Sequence, residues 1–235
     1  MPARHGQLQV HCCFDNVLAN TALSRPACTD VLRSPSVIFF CFARLLFQNG
    51  GFFDTSDGSC LGNVYSHGEM INVASSTGQV IRANFGLTKR NNFVTGYLTP
   101  AEVHNGVDGG FEELVQGGGW LVREGRNFIN ESAGIEKLGQ GFLAEKAPRN
   151  ALGHDVHGRL LQFEADGEED IYLGLTLWEY SAILMQHFEV ANAINMDGGG
   201  SSTTVYNGAV VDKPTCHDTP VICERAVTTI SCVLP

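Results

Sequence analysis

Asp197 ends an apolar run, Ala193-Ile194-Asn195-Met196, and is followed at once by Gly198-Gly199-Gly200 and then Ser201-Ser202-Thr203-Thr204. Glycine permits positive φ and close approach of the backbone to a bound group. Successive exposed N–H groups in such a turn make a cradle for anions. A carboxylate at the mouth of that cradle suits a site that holds a phosphate while an acid does chemistry beside it. Flexible Gly/Ser connectors share this composition. Here β-type residues flank the loop on both sides, so it is short and tethered.

The elements that must hold this loop are legible nearby. Thr176–Phe188 is predicted as a helix. Thr176 and Glu179 form a capping box, and Leu177, Tyr180, Ile183, Leu184 and Phe188 recur at helical spacing. That face should meet a sheet, with Trp178 in the core. The helix feeds a strand, Ala191–Met196, which delivers Asp197. Before it, Asn150–His154 and Arg159–Ala165 flank Asp155-Val156-His157-Gly158 as a hairpin that exits into Asp166-Gly167. After it, Asn207-Gly208 is a strong hairpin turn, and Ala226–Leu234 reads as a last strand. Upstream, Glu69–Val73, Gln79–Leu87, Phe93–Leu98, Gly119–Arg123 and Phe128–Ile129 are short apolar segments bounded by turn residues. Asn91-Asn92 and the weaker Glu124-Gly125 are turn pairs. Residues 131–147 read as a surface loop, and Gln48-Asn49-Gly50-Gly51-Phe52-Phe53 as a Gly-Gly turn beside core aromatics. No linker or repeat divides the chain. One α+β domain with a mixed or antiparallel sheet core and few helices is expected.

Composition narrows the function. The 235 residues carry a net charge of −10 with no Lys/Arg-rich run, which argues against nucleic acid as a partner. The 27 glycines suit many turns and strands. Eight cysteines stand at 12, 13, 28, 41, 60, 216, 223 and 232. None forms a CxxC pair or a zinc-finger spacing. Their even number fits disulfides of a secretory compartment, and Asn130-Glu131-Ser132 is a glycosylation sequon. Met1–Val10 is polar, unlike an export signal, so a secretory reading places that signal outside this chain. The apolar run Val37–Phe47 is too short to span a bilayer and holds Arg44. No convincing metal-ligand set is seen, and no cofactor is expected.

Several motifs in one order resemble the phosphodiester glycosidase family, and its animal members most closely. They are Asn49-Gly50-Gly51-Phe52-Phe53, Cys60-Leu61-Gly62-Asn63-Val64, Val94-Thr95-Gly96-Tyr97-Leu98, Trp120-Leu121-Val122-Arg123, Ile129-Asn130-Glu131-Ser132, Ala151-Leu152-Gly153-His154-Asp155, Ala165-Asp166-Gly167 and Ala193 through Thr203. The resemblance gives a family domain over 49–235 and leaves 1–48 as a poorly defined lead-in. It implies a hydrolase of the Golgi lumen that removes N-acetylglucosamine from N-acetylglucosamine-phospho-mannose on glycans of lysosomal hydrolases and exposes mannose 6-phosphate. It also implies a membrane anchor beyond this chain. The family commonly has Arg-Ser/Thr-Ala where Arg149-Asn150-Ala151 stands here; Asn150 keeps hydrogen-bonding capacity.

The resemblance implies roles for particular residues. A phosphate monoester leaves C1 readily, so the demands fall on stabilising an oxocarbenium-like centre and gripping the phosphate. Asp197 would be the nucleophile or water-activating base, and Asp166 a sugar-hydroxyl ligand or second carboxylate. Arg149 would hold the phosphate through a bidentate contact, with the N–H groups of Gly198, Gly199, Gly200 and Ser201 and the hydroxyls of Ser201 and Ser202 as further donors. Asn49, Gly50 and Gly51 would contact the sugar, joined by Phe52, Asn195 and His154. Arg225 would fold back from the C-terminal segment. The separation of the two carboxylates, and so retention or inversion, stays open, as does participation by the substrate's acetamido group. The same resemblance implies a Cys216–Cys223 disulfide, with Cys60 and Cys232 each paired to a cysteine among 12, 13, 28 and 41, tying the ends together. Alternatives are another glycosyl phosphodiester as substrate, or a non-catalytic phospho-sugar-binding module.

Overall fold

The computed structural model describes residues 7–12, 46–74, 81–217 and 224–234. Strands β1 (Gln7–Cys12) and β2 (Leu46–Asn49) precede two hairpins, β3 (Val64–Ser66) with β4 (Glu69–Asn72) and β5 (Ala83–Thr88) with β6 (Phe93–Tyr97). Helix α1 (Pro100–Asn105) leads to β7 (Phe111–Gln116), β8 (Trp120–Arg123) and the short β9 (Arg126–Asn127). Then come α2 (Ile129–Glu136), α3 (Gln140–Ala144), the hairpin β10 (Arg149–Asp155) and β11 (Leu160–Ala165), and α4 (Leu177–His187). The chain closes with β12 (Val190–Asn195), β13 (Thr204–Tyr206), β14 (Ala209–Val210) and β15 (Thr229–Leu234).

These strands form three antiparallel sheets. The central one runs β11-β10-β12-β8-β9, a second β4-β3-β7-β5-β6, and a third β1-β15-β2-β13-β14. The central sheet is covered on both faces. Side chains alternate along a strand, so Ala151 and Ala193 meet the helices beside Ile129, Leu143, Leu177, Tyr180 and Leu184. Their neighbours Leu152 and Ile194 point the other way, into a cluster with Val64, Phe85, Val115 and Met196 of the second sheet and loop. Burial on both faces explains why the run into Asp197 is apolar without alternation. Phe47, Phe53, Val205, Val227 and Ile230 close the third sheet.

The predicted helix is α4, capped by Thr176 and Glu179 as expected, with Leu177, Tyr180 and Leu184 buried. Phe188 ends it and stays 45% exposed, and Trp178 is half-buried against the core under the helices, its Nε1–H donating to Asn130 Oδ1 at 2.8 Å. The 150–165 hairpin and the Asn207-Gly208 turn are present, with φ 48° and 83° at the turn. Glu124-Gly125 (φ 50° and 72°) joins β8 to β9, and His67-Gly68, a pair the sequence reading passed over, joins β3 to β4 at φ 52° and 76°. Such left-handed pairs match the twist of a two-residue hairpin.

The region 131–147 departs from expectation: it holds most of α2 and all of α3 rather than a loop, and Phe128 is the residue before α2 rather than strand. The inward face of α2 is polar, which hid its period. Ser132 and Glu136 are both 0% exposed. Ser132 Oγ donates to Glu136 Oε1 and accepts from Trp120 N at 2.7 Å each, while Glu136 Oε2 accepts from Gly119 N at 2.9 Å. Helix α1 was missed too, although Thr99 and Glu102 cap it around Pro100. Among the described residues no helix is long and apolar enough to cross a membrane.

Candidate active site

The loop after β12 is fastened from two sides. Met196 N donates to Asn150 O at 2.9 Å, and Asp197 N to Gly50 O at 3.1 Å. The carbonyl of Asp197 accepts from Asn49 Nδ2 at 2.7 Å and from Asn150 Nδ2 at 3.0 Å. Asn49 Oδ1 in turn accepts from Asn150 Nδ2 at 2.5 Å and Thr203 N at 3.1 Å. Asn49 and Asn150, both 0% exposed, therefore clamp the start and end of the loop between β2 and β10. The carboxylate of Asp197 emerges half-buried from a main chain that cannot drift.

Gly199–Ser201 makes one 3-10 turn, with Gly199 at φ 59°. Gly199 N donates to Pro148 O, Ser201 N to Gly198 O and Ser202 N to Gly199 O. The anion cradle is thus narrower than the four amides expected: those of Gly198 and Gly200 are left without a partner among the described residues. A side chain at Gly200 is excluded, because its Cβ would stand 2.8 Å from Arg225 Nη2. Gly198 is equally constrained, with Pro148 O at 2.7 Å from the same position.

Arg225 lies against this turn and donates from Nη1 to Ser201 Oγ at 3.2 Å. Arg149 does not take the place expected of it. It is 3% exposed, and its guanidinium donates to the carbonyls of Leu175 (3.0 Å), Phe142 (3.2 Å) and Glu145 (2.6 Å) over the Phe142 ring. These bonds tie Arg149 to the 142–148 segment under the loop, while Arg225 lies against the glycines.

Other expected contacts are also differently placed. Gly50 N and Gly51 N donate to Thr229 O (2.9 Å) and Thr229 Oγ1 (2.7 Å), so these amides join β2 to β15 and are closed to a sugar. Asn195, 1% exposed, donates to Gly118 O at 3.0 Å and fixes the Gly117–Gly119 loop. His154 sits at the far end of β10, stacked on Phe93 at 5.2 Å with its Nε2 at 3.2 Å from Asn192 Nδ2, away from Asp197. Ser202 Oγ accepts from Asn150 Nδ2 at 3.3 Å. Phe52 borders a cleft of about 260 Å³ with Phe142, Arg82, Lys137 and Gln116. Arg82 and Lys137 had no signal in the sequence, being lone cations in loops.

Asp166 is exposed, and its Oδ1 accepts from Lys213 N at 3.1 Å. It belongs to a group with Glu164 and Asp212, whose ligand oxygens lie within 4.8 Å of one another. Nothing in the sequence hints at this set, since Asp212 arrives from a distant segment. Burial, then the Asp212 charge, pushes the Glu164 carboxyl up to about 8, and burial raises Asp212 as well. A second group, Glu168, Asp170 and His217, carries its own ion pairs through His217.

Cys216 and Cys232 are buried and Cys60 is half-buried. Cys223, 13, 28 and 41 fall outside the described residues. Cys12 pairs opposite Thr229 while Cys232 lies opposite Gln9. Asn130 is exposed in the first turn of α2.

Comparison with known proteins agrees with this geometry. The family model for phosphodiester glycosidases matches residues 45–234. Over 195 residues the chain is 44% identical to mouse N-acetylglucosamine-1-phosphodiester alpha-N-acetylglucosaminidase and 40% identical to its human counterpart, covering 79% of this chain and 37% of each relative. The crystal structure of the zebrafish enzyme's catalytic domain, auto-inhibited by its pro-peptide, superposes with a TM-score of 0.78 at 34% identity, covering 88% of this chain and 68% of that one. A hypothetical protein from Synechocystis shares the fold alone, with a TM-score of 0.64 at 16% identity. With its loop, its sheets and its relatives in accord, the chain belongs to the phosphodiester glycosidase family.

Proposed function

We propose that this chain carries the catalytic core of a hydrolase that cleaves N-acetylglucosamine-α-1-phospho-6-mannose on the glycans of lysosomal enzymes, in the Golgi lumen, releasing N-acetylglucosamine and exposing mannose 6-phosphate. The mammalian relatives, of whose length the chain spans 37%, bear a name with this chemistry. The observation that carries the reading is the Asp197 loop, locked by Asn49 and Asn150 with Arg225 lying over its glycines.

In this reading the C1–O bond breaks and the electron pair leaves with the phosphate. Arg225 and the Gly198 and Gly200 amides take up the charge on the departing oxygens. Donors fixed beforehand in this way contribute on the order of 3 kcal/mol each. Asp197 serves the anomeric carbon, either attacking it or taking the proton of the attacking water; the anomer first released, read by NMR, separates the two. The cleft beside Phe52, with Arg82 and Lys137 on its wall, suits the anionic, phosphorylated half of the substrate.

The test is turnover of N-acetylglucosamine-phospho-mannose against glycosyl phosphodiesters with other sugars. The first should be hydrolysed with the highest kcat/KM, and Arg225→Ala should lower it by about 100-fold or more. Preference for a different sugar would move the assignment elsewhere in the family, and binding without turnover would reduce the chain to a phospho-sugar-binding module.

A further inference from the structure

The groove between β2, β11 and β13 encloses about 230 Å³, with Leu46 and Val211 on its wall beside the polar residues Gln48, Gln162, Glu164, Asp166, Thr204 and Asp212. The carboxylates in it are held by hydrogen bonds, and Glu164 and Asp212 share one between their side chains. Thr204 Oγ1 donates to Glu164 Oε2, Thr204 N to Asp212 Oδ1 at 2.7 Å, and Lys213 N to Asp166 Oδ1 at 3.1 Å. Fixing one oxygen so that the other faces a shared point is how supporting bonds aim metal ligands.

An independent observation comes from the amides. Gln48 is 1% exposed and spends its Nε2 on Asn150 Oδ1 and Phe163 O, which leaves its Oε1 buried with no partner on the wall of this groove. Gln162 repeats the arrangement, with Nε2 on Ser231 Oγ and Oε1 unpartnered. Glu164 and Asp212 share a hydrogen bond between their side chains, whose proton a cation would displace. Buried acceptors left open in this way call for an explanation. The polar side-chain atoms left open here are the oxygens of Gln48 and Gln162 beside the carboxyl pair, and a cation satisfies them all at once.

We propose that Glu164, Asp166 and Asp212, with the side-chain carbonyls of Gln48 and Gln162, form a binding site for one calcium ion. The donor set is all oxygen, without His or Cys, which selects a hard cation. Calcium takes roughly 6–8 oxygens, amide carbonyls included, in a flexible shell, whereas magnesium holds on to its waters and seldom fills an all-protein cage. The ion joins β11 of the central sheet, β2 and β13 of the third sheet and the 211–213 segment. The test below reads binding of the ion alone, so it does not depend on the proposed glycosidase activity.

The experiment uses the whole chain, stripped with EDTA and dialysed, followed by calorimetric titration and thermal melting with calcium chloride. Sodium chloride at matched ionic strength and magnesium chloride serve as comparators. One site is expected, with a Kd of about 0.1–1 mM and a rise in Tm of roughly 5 °C at saturating calcium. Asp212→Asn should weaken calcium binding at least about tenfold while the metal-free variant melts no lower than the wild type, because a crowded charge is gone. Glu164→Gln should do the same and stands in if the first variant fails to fold. A wild-type chain that shows no saturable calcium response, answers magnesium equally, or keeps its Kd in both variants overturns the site.

Discussion

Gly200 has no side chain because the guanidinium of Arg225 occupies the space where one would begin, at 2.8 Å. Gly200→Ala should therefore push Arg225 off Ser201 and lower kcat/KM by on the order of 100-fold, with melting used to show that the variant is folded. A variant as active as wild type would detach Arg225 from catalysis. Glu164 gives a second prediction at this scale. Its carboxyl is raised from 4.5 to about 8, so between those values the folded chain holds a proton that the unfolded chain has released. The sign follows: its contribution to stability is complete below the ordinary glutamate range and is lost as pH climbs towards about 8. In EDTA, Tm should fall from pH 5 to pH 8 more steeply for wild type than for Glu164→Gln. Equal slopes would contradict the burial assigned to this group. At this scale the sequence shows the Asp197 loop as a short, tethered bend, because β-type residues flank its glycines on both sides. It could not tell Arg149 from Arg225: which arginine meets carbonyls and which meets the loop depends on where the 142–148 segment folds.

Elements carry the site, and their legibility followed from which face they bury. Helix α4 presents Leu177, Tyr180 and Leu184 to the sheet in an apolar stripe, and that stripe is visible in sequence. Helix α2 turns Ser132 and Glu136 inward to hold Gly119 and Trp120, so its period is invisible to any rule based on hydrophobicity. Two substitutions weigh these elements by chemical denaturation. Leu184→Ala, at a site 1% exposed, should destabilise by about 2–5 kcal/mol. Ser132→Ala should destabilise by about 1–3 kcal/mol by stranding the buried Trp120 amide and removing one of the donors to Glu136. A negligible loss in the second case would mean that α2 is not what positions the loop before β8.

Across the whole molecule, three sheets meet so that residues remote in sequence, Asn49, Asn150 and Asp197, share one hydrogen-bonded knot. The order of motifs made the domain recognisable before its topology was, since the turns and strand ends that carry them are set by local chemistry, while pairing of β2 with β13 and β15 is a long-range choice. The compartment is tested on the same scale. Peptide mapping of the chain made in a secretory host should find glycan on the exposed Asn130 and a Cys216–Cys223 link; an unglycosylated, fully reduced native protein would argue for a different location. The most direct measurement is single-turnover cleavage of N-acetylglucosamine-phospho-mannose by Asp197→Asn, checked by melting to be folded. The account predicts a loss of roughly 100- to 10,000-fold in the cleavage rate with substrate binding kept, and a rate near that of the wild type would contradict it.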